Sequence, residues 1–223
     1  MTEARPFAVL FDLDGTLVDS IALLLACMNH TFEGRPRRPS DAEWIDGLGT
    51  PLPKQLTPYI ESDHDREHLV QRYRTYQFEN HDRLMAKYEG VIETLALLYQ
   101  RGHPMGVVTS KGNAMMDRGL KFIGADDYIE VAIGYDSCHI HKPDPFPVRM
   151  ALDKLAYSPG EALFVGDSPH DINAGNAAGV ITVAALWGPF TKAQLEPHKP
   201  AHFLERMTDL PGLLDRITAA AAG

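Results

Sequence analysis

The chain is poor in cysteine, in basic charge and in long apolar runs, and each shortage removes a class of protein. Only Cys27 and Cys138 occur in 223 residues. They stand in no zinc-like spacing and read as reduced thiols rather than a disulfide. Lys and Arg total 21 against 30 Asp and Glu, a formal net charge of -9. That balance argues against nucleic acid or an anionic membrane as the main partner. A small anionic substrate stays open, because a metal ion and one lysine invert the field locally. The apolar run Ile21 to Ala26 is far too short to span a bilayer. The N-terminal MTEARPF lacks a basic segment followed by an apolar core, so no signal peptide is expected and the chain reads as cytoplasmic.

What is present is organised around Phe7 to Ser20, FAVLFDLDGTLVDS. Five consecutive apolar residues, Phe7 to Phe11, predict a strand buried on both faces, as in a parallel sheet. Asp12 ends the run and Asp14 follows, so in extended geometry both carboxylates project from one face. Gly15 permits a sharp turn just beyond, at the strand's carboxyl edge, where open α/β sheets bind ligands. Two close carboxylates repel unless a cation or a shared proton relieves them. A D-x-D pair alone is also compatible with an ordinary polar strand exit.

Residues 18–86 show helical spacing and no convincing buried strand. Ile21, Leu24, Leu25, Met28 and Phe32 form one series after Asp19-Ser20 as a cap, and Ser40 with Glu43 offers a capping box. Gly47-Leu48-Gly49-Thr50-Pro51 reads as a loop before a helix near Leu52, Leu56 and Ile60, and Leu69, Tyr73 and Tyr76 continue the pattern. The aromatics there read as packing. From Gly90 onward the pattern alternates between helices and apolar strands: Met105–Thr109, Val131–Gly134, Ala162–Val165 and Ile181–Leu186. Single helices between strands imply right-handed crossovers. The expectation is an α/β fold: a doubly wound parallel sheet formed by residues 1–17 and 87–223, with an all-helical insertion at 18–86.

Four strand exits then carry polar groups. They are Asp12-x-Asp14-Gly15-Thr16; Thr109-Ser110-Lys111-Gly112; Lys142-Pro143-Asp144-Pro145; and Gly166-Asp167-Ser168-Pro169-His170-Asp171. In a parallel sheet these exits share one edge, so residues distant in sequence converge there. Each has an ordinary reading by itself: a strand-ending Thr109, a surface Lys142, a loop Asp167, a helix-capping Asp171. Together and in this order they resemble the four motifs of the haloacid dehalogenase-like (HAD) hydrolase superfamily. The resemblance covers the whole chain, with 18–86 at the position of that superfamily's small cap domain and a Rossmann-like core around it.

The resemblance implies that Asp12 is a nucleophile forming an aspartyl-phosphate and Asp14 a general acid and base, with Lys142 neutralising charge. It implies metal contacts from Asp12, the Asp14 backbone carbonyl and Asp167, with Asp171 acting directly or through water; the donor set suits Mg2+. Thr109 and Ser110 would hold phosphoryl oxygens. Gly49 and Lys54, with Gly47, are cap-loop candidates for closing over a small phosphorylated substrate. Asp14 and Thr16 favour a phosphatase over a dehalogenase or a phosphomutase. GDSPHDINAGNAAG, VVTSK and GLGTPL look like the phosphoglycolate phosphatase and pyrophosphatase subgroup. Sugar phosphatases or phosphomutases remain alternatives, as does a phosphoacceptor signalling or binding module of another class. Lys111 reads equally as a phosphate ligand or a solvated helix start, and His139 and His141 as a solvated loop beside Lys142. A monomer or a homodimer is expected.

Overall fold

The computed structural model describes residues 5–221; the first four residues and the last two, including Ala222 of the alanine-rich tail, lie outside the described residues. The chain opens with β1 (Ala8–Phe11), buried along its whole length. A ribbon that the sequence reading does not anticipate closes the helical stretch, with β2 (Val18–Asp19) antiparallel to β3 (Ala86–Lys87). Two residues carry no readable period, so only the pairing reveals such a strand.

Between the arms of the ribbon lie α1 (Ile21–Thr31), α2 (Asp41–Asp46), α3 (Leu52–Gln55) and α4 (Asp63–Leu84). α2 starts on the expected capping box: the Glu43 N–H donates to Ser40 Oγ at 3.3 Å, and the Ser40 N–H donates back to the Glu43 carboxylate at 2.8 Å. At α1 the Ile21 N–H donates to Asp19 at 3.3 Å, while Ser20 Oγ is buried without a partner among the described residues. α1 packs along α4. The buried residues of α4 are Leu69, Tyr73, Gln77 and His81, a stripe of one side chain every four residues. Its apolar half meets an aromatic cluster, with the Tyr73 and Trp44 rings 5.9 Å apart.

After the ribbon, strands and helices alternate through α5 (Val91–Gln100), β4 (Met105–Val108), α6 (Asn113–Ile123), β5 (Val131–Ile133) and α7 (Phe146–Leu155). The chain continues with β6 (Ala162–Gly166), α8 (Pro169–Ala178), β7 (Ile181–Ala185), α9 (Lys192–Leu195), β8 (His202–Leu204) and α10 (Leu210–Ala221). The six long-range strands form one parallel sheet in the order β5-β4-β1-β6-β7-β8. β8 is a correction to the sequence reading. It is a three-residue edge strand whose first two side chains are half-buried, too short to present an apolar run.

Both faces of the sheet are covered. Val9 and Phe11 pack in a cluster with Leu95, Leu98 and Leu210, whereas Ala8 and Leu10 pack with Val148, Leu152 and Ala174. This alternation is the period of two expected of a strand between helical layers. From β1 the chain moves outward through β4 to β5, then crosses back to β6 on the other side of β1. The strand order therefore reverses at β1, and a crevice opens beyond its carboxyl end. Among the described residues no helix is long and apolar enough to cross a membrane.

Candidate active site

Asp12 sits one residue past β1, and its N–H donates to the Val165 carbonyl of β6 at 2.9 Å. That bond extends the parallel ladder and holds the two strand exits side by side, so Asp12 and Asp167 meet across 155 positions of sequence. Gly15 has φ of +85°, and a Cβ there would stand 2.5 Å from an Asp167 oxygen. Glycine is needed both for the turn and for the close approach. Thr16 Oγ1 donates to Asp167 at 2.7 Å and fixes that carboxylate.

Lys142 is 4% exposed. Its ammonium donates to Asp12 at 2.9 Å, to Asp171 at 2.5 Å and to the Val108 carbonyl at 3.0 Å, which uses all three of its N–H groups. The other Asp171 oxygen accepts from Ser168 N–H at 3.0 Å and Ser168 Oγ at 2.6 Å, the capping box of α8. Oxygens of Asp12, Asp167 and Asp171 lie within 4.8 Å of one another. Lys111, 8% exposed, holds both oxygens of Asp14 at 2.6 and 2.9 Å. The second oxygen of Asp12 makes no hydrogen bond among the described residues.

The helical segment roofs this edge. Ser110 Oγ donates to the Gly49 carbonyl at 2.6 Å, and Thr50 Oγ1 meets His170 Nε2 at 3.0 Å. Gly49 has φ of +87°, and a Cβ there would lie 2.8 Å from Ser168 Oγ; the loop approaches the sheet edge so closely because that side chain is missing. The partly open cavity between them measures about 100 Å³, with Asp12, Asp14, Thr109, Ser110, Lys111 and Asp167 along its floor. Sites for drug-sized ligands occupy roughly 300–1,000 Å³, so this one suits a small molecule.

A family model, described as haloacid dehalogenase-like hydrolase, matches residues 9–185. The chain belongs to this family. It is 38% identical over 212 residues to Pyrophosphatase PpaX of Bacillus pumilus, covering 94% of this chain and 97% of the relative. A Bacillus velezensis Pyrophosphatase PpaX is 36% identical, again with 94% and 97% covered. Among solved structures, a predicted phosphoglycolate phosphatase from Haemophilus somnus 129Pt superposes with a TM-score of 0.84 at 25% identity, covering 95% of this chain and 99% of that one. The protein is therefore a HAD hydrolase, similar over nearly its full length to pyrophosphatases and phosphatases.

The electrostatics of this HAD site are those of a cation-seeking cluster. Burial, then the nearby Asp171, raise Asp12 to about 7, against the opposing pull of Lys142. Burial, Asp171 and Asp12 likewise hold Asp167 well above the carboxylate range. Burial alone would depress Lys142, but Asp12 and Asp171 outweigh it and keep the ammonium charged. One lysine does not balance three buried carboxylates. An all-oxygen donor set without His or Cys fits a hard divalent ion such as Mg2+ rather than zinc. Asp12 and Asp167 are the better-placed ligands, since each Asp171 oxygen already accepts from Lys142 or Ser168.

The site brings together Asp12, Asp14, Thr109, Ser110, Lys142, Asp167 and Asp171, as the strand exits imply. Gly49 joins them through its carbonyl. Lys54 does not. On the short α3, Leu52, Pro53 and Gln55 line the cavity, and Lys54 turns outward to a groove with His141, Pro143 and Asp144. His139 is exposed and His141 stacks on Tyr135, with ring centroids 4.4 Å apart; neither enters the carboxylate cluster. Lys111 is settled as a buried partner of Asp14. Arg74 and Gln77, both lining the cavity, escape the sequence reading. The four-residue spacing from Leu69 through Tyr73 points to Gln77, a signal masked by its polarity.

Proposed function

We propose that the protein is a Mg2+-dependent phosphatase that hydrolyses a small phosphorylated metabolite through an aspartyl-phosphate on Asp12. Pyrophosphate and phosphoglycolate are the first substrates to test. The observation that carries this reading is the state of Asp12. One of its oxygens is bound by Lys142, and the other is unpartnered in a partly open cavity beside Thr109 and Ser110. A carboxylate attacks an anionic phosphoryl group only where positive charge offsets repulsion. Bound by Asp12 and Asp167, Mg2+ would supply that charge and align a phosphoryl oxygen.

Within the chain, Lys142 fixes the rotamer of Asp12 and shares its charge, while Asp171 and the Val108 carbonyl hold the lysine in place. Thr109 Oγ1 and the Ser110 N–H receive phosphoryl oxygens. Asp14 protonates the leaving oxygen and later accepts a proton from the hydrolytic water. Lys111 holds both oxygens of Asp14 and so fixes that carboxyl's position. An arriving phosphate competes for that ammonium, and the freed Asp14 takes up a proton from solvent, which it then delivers to the leaving oxygen. Segment 18–86 moves as a cap on its two connections, admits substrate and excludes bulk water when shut.

The pyrophosphatase relatives support pyrophosphate, and the phosphoglycolate phosphatase neighbours support the second candidate. Both suit a cavity too small for nucleic acid or a phosphoprotein. Phosphate release from both compounds, from sugar phosphates and from nucleotides, with and without chelator, tests the reading. Stoichiometric labelling of the protein without turnover would instead favour a phosphoacceptor module.

A further inference from the structure

We infer that Arg74 and Gln77, on the α4 face of the cavity, form the subsite for the non-reacting end of the substrate, and that this end carries an anionic oxygen group. The inference rests on the reading above and names what the roof recognises.

The two residues are three apart on α4, so they share one face of the helix. Gln77 is 7% exposed, lines the cavity and makes no hydrogen bond among the described residues. Its amide is therefore free to bond a ligand in the cavity it lines. Arg74 also lines the cavity and has no acidic partner among the described residues. Its neighbours differ: Arg72 pairs with Glu33 at 3.3 Å, Arg66 with Asp63 at 2.7 Å and Arg118 with Asp82 at 3.0 Å.

The opposite wall carries the carboxylates of Asp12, Asp14 and Asp167, and the one lysine lining the cavity, Lys111, is bound to Asp14. Of the cations lining the cavity, Arg74 alone is uncommitted. Among the other roof residues, Leu24, Leu48, Leu52 and Pro53 offer no side-chain donor, Thr50 meets His170, the Gln55 amide donates to the Trp44 carbonyl, and the Tyr73 hydroxyl is a neutral donor beside the pair. A guanidinium fork beside an amide matches a carboxylate or a second phosphoryl group, with parallel N–H···O bonds setting orientation. A substrate ending in a neutral group would leave both donors unpaired, and such a site discriminates against it.

The test compares kcat/KM for pyrophosphate and phosphoglycolate with that for p-nitrophenyl phosphate, whose distal end is uncharged at the arginine. Arg74→Ala is expected to lower the ratio of the anionic substrates to p-nitrophenyl phosphate at least ~10-fold, the scale of a lost charge-assisted hydrogen bond. The loss should appear in KM. Arg74→Lys should restore part of it, and Gln77→Leu should lower the ratio less. Arg72→Ala, which breaks only the pair with Glu33, should leave the ratio unchanged. An unchanged ratio in Arg74→Ala, or an equal loss on all three substrates, overturns the subsite.

If the wild-type protein hydrolyses none of the three, the phosphatase reading falls and binding decides this inference separately. Calorimetric binding of methylenediphosphonate that weakens in Arg74→Ala sustains the subsite. Equal binding by both proteins, or none by either, removes it.

Discussion

Lys142 commits all three of its N–H groups to the floor of the cavity, whereas Arg74 in the roof commits none to the described residues. The contrast extends to their neighbours. On the floor, Asp171 is held by Lys142 and Ser168, and Asp167 by Thr16. In the roof, Gln77 is unpartnered, and the side-chain hydrogen bonds from the Gly49–Thr50 loop to the core are Ser110 to Gly49 and Thr50 to His170. Charge repulsion explains the difference. Three buried carboxylates stay together only when each is restrained, so the floor must be built before substrate arrives. The roof faces no such stress. It can leave its donors open for a ligand.

The largest effect expected from attacking the floor is loss of the nucleophile. Asp12→Asn should lower kcat at least ~1,000-fold while the far-UV dichroism stays native. Near-normal phosphate release by that variant would remove Asp12 from the chemistry. Next comes Lys142→Met, which strands Asp12 and Asp171 as uncompensated buried charges. Removing one partner of a buried pair costs about 3–5 kcal/mol, and in a chain of this size that is a Tm lower by about 10 °C. Adding Asp171→Asn should recover part of the loss. If the double variant melts no higher than Lys142→Met, the charge cluster does not govern stability.

A pH experiment separates the cost of buried charge, from desolvation and then repulsion, from packing. Asp12 is raised from 3.8 to about 7, so the folded protein binds its proton more tightly than the unfolded chain. Stability is then lost as pH rises from the unfolded value toward the folded one. Histidines held down by burial, such as His170 and His141, act in the opposite sense, so the comparison must be between variants. In chelator, the Tm of Asp12→Asn minus that of the wild type should increase from about pH 5 to about pH 7, and Mg2+ should shrink the increase. A difference independent of pH contradicts the account of a costly buried charge at Asp12.

The smallest effect belongs to the roof. Thr50→Val removes one hydrogen bond to His170, worth about 0.5–1.5 kcal/mol. It should raise KM about two- to tenfold with kcat and Tm nearly unchanged. A large fall in Tm would mean that the roof is as rigidly built as the floor, and the contrast would fail.

The floor was far more legible in the sequence than the roof. Its residues sit at strand exits, and a strand exit can be read from an apolar run that stops on a charge. Lys111 shows where such reading ends. Its position after Thr109-Ser110 is compatible with phosphate, solvent or a carboxylate, and only the fold brings Asp14 within 2.6 Å. In the roof, Lys54 is the cation that follows the Gly47–Gly49 loop and reads as a cap-loop candidate, yet the turn of α3 places Gln55 on the cavity instead. Gln77 looks like a surface residue unless the stripe through Leu69 and Tyr73 is extended past its apolar half.

The sequence by itself determined β1, the order of the four polar exits and the local caps at Ser40 and Ser168, because each depends on neighbours within a few residues. It also placed the sheet's crossovers, since helices between strands permit little else. Only the tertiary structure decided the ribbon of β2 and β3, the edge strand β8, the pairing of Lys111 with Asp14, and which cap residues look into the cavity. These depend on which face of one element meets another far along the chain. A two- or three-residue strand has no period, and a polar side chain on a helix carries no mark of the wall it will line.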